Sequence, residues 1–147
     1  CQWGQRFISE TTSIHNDPDG EKAFFGHYPG GSSIFTWFYF RQQLELGDGL
    51  FKDYDHGPET NLHFYGQEQP PIIDLSKIEV PTVLFVGKHD TIVNPEDTQW
   101  IKDQMKTVID YKEVDGGHQI FFTGKNASYF TTDVMGHLST YNPIISK

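Results

Sequence analysis

The stretch Val80-Pro81-Thr82-Val83-Leu84-Phe85-Val86-Gly87-Lys88-His89-Asp90 decides the fold class. Thr82 to Val86 are all apolar or β-branched, the short continuous run expected of a parallel strand covered on both faces, and Pro81 biases Val80 toward extended backbone. A helix signature comes next. Asn94 is a candidate N-cap, Pro95 fits the first helical position, Glu96 and Asp97 suit the positive end of the helix dipole, and Ile101, Met105 and Val108 recur at i, i+4 and i+7. A second strand is expected over Ile109-Asp110-Tyr111-Lys112-Glu113-Val114, ended by the turn Asp115-Gly116-Gly117 before His118. Strand, crossover helix and parallel strand make one right-handed βαβ unit. Two such strands leave two open edges, so further strands are expected from an N-terminal remainder of the same fold, covalent or docked.

Upstream of Pro70-Pro71 the texture differs. Residues 1 to about 70 carry turn signals at Asp17-Pro18-Asp19-Gly20, Pro29-Gly30-Gly31, Gly47-Asp48-Gly49 and Gly57-Pro58, around one dense aromatic run, Ile34-Phe35-Thr36-Trp37-Phe38-Tyr39-Phe40. Ser32 or Ser33 can cap a helix through this run, and Gly47 can end it in the left-handed conformation that only glycine adopts without Cβ strain. The apolar residues occupy more than one face, so the helix is expected either to be fully buried or to offer an apolar side to something else. The reading divides the chain into 1–70 and an α/β part, 71–147.

Composition narrows the function classes. With 147 residues, 36% hydrophobic and 21% charged, and no run long enough to span a bilayer, the chain reads as globular. Its net charge of −9 and 11 dispersed Lys and Arg argue against a nucleic-acid partner, which needs clustered cations. Protonation of all seven histidines would bring the charge to −2, compatible with an acidic compartment. Cys1 is the single cysteine and has no internal disulfide partner. The chain opens on Cys rather than Met and without a signal segment, so an upstream portion is expected. Asn126-Ala127-Ser128 is a glycosylation sequon for a secretory-route protein.

Asp90 and His118 each come after a strand, where an α/β sheet presents its reactive groups. Acid first and base second, about one helix apart, is the order in which an α/β-hydrolase delivers two members of a Ser-His-Asp triad. The Gly-x-Ser-x-Gly that would carry the nucleophile does not occur in the chain. Spacing alone leaves open that Asp90 is a cap or turn former and His118 a surface residue. Other candidates lack their chemistry. His15-Asn16-Asp17-Pro18-Asp19-Gly20 imitates a calcium loop, but His holds its first ligand position and Gly26 its twelfth, so it reads as a surface turn. His56, His63, His89 and His137 lack a two-ligand helix spacing, so zinc is not expected, and His89 reads as solvent-facing. Pro29-Gly30-Gly31 lacks the lysine of a phosphate cradle.

A collinear series of segments carries a more specific signal. It comprises His27-Tyr28-Pro29-Gly30-Gly31-Ser32-Ser33, Phe51-Lys52-Asp53-Tyr54-Asp55-His56-Gly57, Asn61-Leu62-His63-Phe64-Tyr65-Gly66-Gln67 and Pro70-Pro71-Ile72-Ile73-Asp74-Leu75-Ser76-Lys77-Ile78. Val80-Pro81-Thr82, Gly87-Lys88-His89-Asp90, Asn94-Pro95-Glu96-Asp97 and Tyr111-Lys112-Glu113-Val114 before His118 continue it. From about His27 to His118 the chain resembles the C-terminal part of the acid lipases, the family containing gastric lipase and lysosomal acid lipase.

The resemblance implies the C-terminal part of an α/β-hydrolase core preceded by part of a helical cap or lid domain, residues 1–70. It implies that Asp90 and His118 correspond to the family's acid and base, and that the aromatic helix either lines the acyl-chain pocket or packs the cap on the core. The implied protein hydrolyses lipid carboxylesters, triacylglycerol or sterol ester, without metal or organic cofactor, in peripheral contact with a lipid surface, in a lysosomal or secreted setting. After the base the family continues Leu-Asp-Phe, whereas Gln119-Ile120-Phe121 stands here, and beyond Phe122 the resemblance fades into a stretch of no assigned purpose. The alternative is a lipase-derived structural or binding subunit without turnover.

Overall fold

Two strands pair in parallel, and their register positions the candidate site. The computed structural model describes residues 13–28, 30–47 and 49–142; Cys1 and the last five residues lie outside them. In chain order the elements are α1 (Pro18–His27), α2 (Ile34–Leu46), α3 (Pro58–Tyr65), β1 (Thr82–Gly87), α4 (Pro95–Gln104), β2 (Val108–Val114), α5 (Ile120–Thr123) and α6 (Met135–Tyr141), which continues from a π-helical turn, Tyr129–Val134. They form two compact units, one holding the segments up to Tyr28 and from Val80 onward, the other running between them to Glu79. These changeover points differ from a single division near residue 70.

In the α/β unit β1 pairs with β2 from Val83↔Asp110 to Gly87↔Val114, after a register shift between Thr82 and Val83. Helix α4 packs on β1, and α1 packs on α5 with the Phe24 and Phe122 rings 5.7 Å apart. Among the described residues the buried hydrophobic side chains are Val86 and Ile120. The expected strand is present, but among the described residues its cover is incomplete. Thr82 to Phe85 are only half-buried: β2 pairs with β1, α4 packs on it and the Tyr129 ring lies 6.0 Å from that of Phe85, and the described residues add no further strand.

Two local readings change. The i, i+4, i+7 pattern carried the crossover helix through Met105 and Val108, yet α4 ends at Gln104, and Met105 turns extended at φ −96°, ψ 130°. The Thr82 N–H donates to the Thr107 carbonyl at 2.9 Å, and that ladder draws the β-branched pair Val108-Ile109 into β2. Upstream, Asp17-Pro18-Asp19-Gly20 is a helix start rather than a surface turn. The Asp17 carboxylate accepts from the Gly20 N–H at 3.0 Å, and Pro18 takes the first position of α1, where a missing N–H costs nothing.

The second unit combines polar bonds with a cluster of rings around Tyr54 and His56. Ser33 Oγ caps α2 by accepting from the Phe35 N–H at 3.2 Å, and Gly47 ends the helix at φ +58°. Of the two states open to α2, full burial is not the one found: Phe35, Trp37, Phe40 and Leu44 are exposed and no α2 residue is buried. Tyr39 Oη donates to the Lys52 carbonyl (2.7 Å), and Gln42 exchanges two bonds with the Asp55 backbone. Asn61 is fully buried. Its amide donates to Asp55 Oδ1 and the Glu68 carbonyl, both at 2.8 Å, and its Oδ1 accepts from the His56 N–H at 2.9 Å. The Asn61 amide, and then the Gly57 N–H, hold the Asp55 carboxyl below its ordinary range.

Glycine is required where the strand ends meet. A Cβ on Gly87 would lie 2.6 Å from the Gly117 carbonyl oxygen and 2.9 Å from that of Gly116, both rigid backbone. Gly87→Ala is therefore expected to destabilise the fold by about 1–3 kcal/mol through displacement of the turn before His118. Gly26→Ala, whose Cβ meets nothing within 4 Å, serves as the neutral or stabilising control in thermal unfolding. Asn61→Ala strands the groups it bonds and is expected to cost about 3 kcal/mol in denaturant titration. Because the Asp55 carboxyl is lowered in the fold, its contribution is complete above the ordinary carboxylate value and is lost as pH falls through the lowered one. Asn61→Ala should flatten that acid limb of the stability curve.

Candidate catalytic site

The site is built from two turns that the ladder places side by side. After β1 the chain reverses through Gly87-Lys88-His89-Asp90, where the Asp90 N–H donates to the Gly87 carbonyl at 3.0 Å. The Lys88 and His89 N–H groups reach across to the Val114 and Gly116 carbonyls, each at 2.9 Å. These cross-bonds extend the sheet's pairing past its ends and lock the first turn to the second. The second turn, Asp115-Gly116-Gly117, then delivers His118 just before α5, whose first residue Ile120 donates its N–H to the Gly117 carbonyl at 3.1 Å.

Asp90 and His118 meet. His118 Nδ1 lies 2.9 Å from Asp90 Oδ2. The other carboxylate oxygen, Oδ1, accepts from the Ile92 and Val93 N–H groups at 2.8 and 2.9 Å, so the carboxylate cannot swing away from the ring. The Asp90 side chain is 5% exposed and that of His118 39%. A buried acid thus faces a ring that solvent or a substrate can reach. An ionised carboxylate can only accept, so Nδ1 is the donor to it, and in the neutral form of the ring Nε2 keeps a lone pair for proton transfer. Both residues line a cavity of about 380 Å³ whose other walls are Phe85, Val86, Gly87, Val93, Thr98, Phe121 and Phe122. Those largely apolar walls suit a hydrocarbon group beside an acid–base pair.

Sequence reasoning did not single out Thr98, Val93, Phe121 or Phe122. The helical period of α4 could have flagged Thr98 as inward, but the Phe121-Phe122 pair offers no periodic cue because α5 is a single turn. A larger hollow of about 600 Å³ in the other unit is lined by residues including Gln42, Gln43, Lys52 and Asp55. Gln42 and Gln43 are engaged there with backbone groups. A second histidine–carboxylate pair, His137 Nε2 to Asp110 Oδ2 at 3.0 Å, occurs near the start of β2, away from the strand ends that carry Asp90 and His118. Asp110 also lies 3.8 Å from Lys112, which reaches Asp133 at 3.6 Å. His137 is the leading cause that lowers the Asp110 carboxyl, as expected of an ion-pair network. Asn126 of the sequon is exposed, and its Oδ1 accepts from the Ser128 N–H at 2.9 Å. Among the described residues no helix is long and apolar enough to cross a membrane.

No protein-family model matches the chain. Individual relatives do. The chain is 34% identical to lipase member N of Homo sapiens over 107 residues, 71% of this chain and 26% of that protein. It is 27% identical to a tear acid lipase-like protein of Mesocricetus auratus over 133 residues, 88% of this chain and 33% of the relative. It is 28% identical to the gastric triacylglycerol lipase of Bos taurus over 101 residues, 68% and 25% respectively. The chain therefore spans a quarter to a third of the length of these relatives. Within that span it belongs to the acid lipase family.

Proposed function

We propose that the chain is the C-terminal portion of a lipid carboxylester hydrolase, with Asp90 and His118 the acid and base of a Ser-His-Asp triad whose serine lies outside it. The observation that carries this reading is the 2.9 Å bond between Asp90 and His118 at adjacent strand ends, beside a largely apolar cavity, in a chain whose relatives are lipases. In the reaction His118 Nε2 takes the proton of the serine hydroxyl as its oxygen attacks the ester carbonyl. The resulting oxyanion is held by backbone N–H groups of the remainder of the fold. Collapse expels the alcohol, protonated by His118, and leaves an acyl-enzyme. Water then attacks by the same proton path and releases the fatty acid. Asp90 fixes the ring and stabilises its protonated form, and its two backbone donors keep Oδ2 on target.

On this reading residues 71–147 are the C-terminal part of the hydrolase core and residues 1–70 the end of its cap or lid. The substrate is a triacylglycerol or sterol ester met at a lipid surface, and no cofactor takes part. A lysosomal or secreted location is supported by the exposed sequon and the histidine content, and Asn126 is the proposed glycan acceptor.

The test uses the full-length protein that contains this chain. A serine-directed fluorophosphonate probe should label it, and failure to label a folded preparation would overturn the assignment in favour of a subunit without turnover. His118→Ala is expected to lower ester turnover by about 10⁶-fold and Asp90→Asn by about 10⁴-fold, without unfolding the protein. Expression through a secretory route should give a mass excess that glycosidase removes and Asn126→Gln abolishes.

A further inference from the structure

We propose that His15, His89 and Asp115 form a binding site for a divalent transition-metal ion of the zinc class. His89 Nε2 lies 3.1 Å from Asp115 Oδ1, and His15 Nδ1 lies 3.9 Å from Asp115 Oδ2. One ligand atom from each residue falls within 4.8 Å of the other two. The two imidazole rings are stacked at 6.0 Å and 23°, and each presents a nitrogen to a different oxygen of the same carboxylate. A tetrahedral zinc ion with bonds of about 2.0–2.2 Å needs ligand atoms about 3.3 Å apart, which small rotations of these three side chains would provide.

The backbone holding the trio is already fixed. His89 and Asp115 lie just past the ends of β1 and β2, in register at Gly87↔Val114, and the His89 N–H donates to the Gly116 carbonyl at 2.9 Å. The His15 carbonyl accepts from the Lys125 N–H at 2.9 Å, and the next residue, Asn16, bridges to Gly124. Little ordering entropy is therefore lost when an ion joins the three segments. The donor set decides its class. Two imidazoles and one carboxylate favour zinc and its neighbours over calcium or magnesium, which prefer all-oxygen sites, and three protein ligands leave a position for water. With side-chain exposures of 26% for His15, 47% for His89 and 70% for Asp115, the ion can enter from solvent. Helix-face spacing could not reveal the site, because its ligands come from three separate segments: a 3-10 turn, Ser13–His15, and the turns after β1 and β2. It is distinct from the Asp90–His118 pair and does not depend on the proposed hydrolysis.

The full-length protein, stripped of metal by a chelator, would be titrated calorimetrically with Zn²⁺. The expected result is saturable uptake with one equivalent assigned to these residues. That equivalent should weaken in His15→Ala, His89→Ala and Asp115→Ala by at least the roughly 10–100-fold seen when a mere hydrogen-bonding neighbour of a ligand is lost. His63→Ala, in the other compact unit, should leave it unchanged. Asp115→Asn serves if a truncation fails to fold, and Co²⁺ absorption bands lost in His89→Ala would identify the ligand directly. No saturable uptake, or uptake undiminished in all three variants, would overturn the proposal and leave a metal-free cluster of two histidines sharing a carboxylate.

Discussion

The site depends on the parallel ladder between β1 and β2, and above all on its last rung, Gly87 opposite Val114. A parallel pair brings two strand ends to one edge, so the turn leaving one strand is forced to lie beside the turn leaving the other. Here the bonds from Lys88 and His89 to the Val114 and Gly116 carbonyls carry that enforcement beyond the strands. The two backbones then approach so closely that position 87 admits no side chain. The Asp90–His118 contact follows from this backbone arrangement.

What the sequence made legible was whatever local chemistry decides. The apolar run of β1, the Ser33 cap and Gly47 stop of α2, and the Asn94-Pro95 start of α4 are each set within a few residues, and each is found. The pairing of Asp90 with His118 was legible as an order of residues, because topology converts successive strand ends into spatial neighbours. The end of α4 was not legible. Met105 and Val108 satisfy a helical period as well as a strand does, and only the partner strand settles which wins. Asp17-Pro18 reads equally as a turn or as a cap with its first helical residue, and the helix it begins becomes worthwhile through the contact of Phe24 with Phe122, nearly a hundred residues away.

The thin core has a physical consequence. The two buried hydrophobic side chains and the two-stranded sheet found among the described residues cannot by themselves offset the conformational entropy of ordering these elements. In the second unit, polar bonds such as those of Asn61 specify geometry but add only modest net free energy each. Trp37, Phe40, Leu44 and Phe64 leave large apolar side chains exposed in that unit. On the proposed reading, the balance is supplied by the remainder of a hydrolase fold packing on these faces and on the open edges of β1 and β2.

The same edge that presents the acid and base also presents the histidine–aspartate cluster, because both are mounted on the same two turns. His89 precedes Asp90 directly, and Asp115 stands three residues before His118, so each turn contributes one residue to each group. The carboxylate of Asp90 points inward to two N–H donors and a ring, whereas Asp115 points outward to two histidines. Burial separates their roles: the inward group has three fixed partners and little water, which suits orienting a proton carrier, and the outward group is open to solvent, which suits an exchangeable ion. Any force that ties His15 to both turns therefore also restrains the backbone on which Asp90 and His118 are mounted.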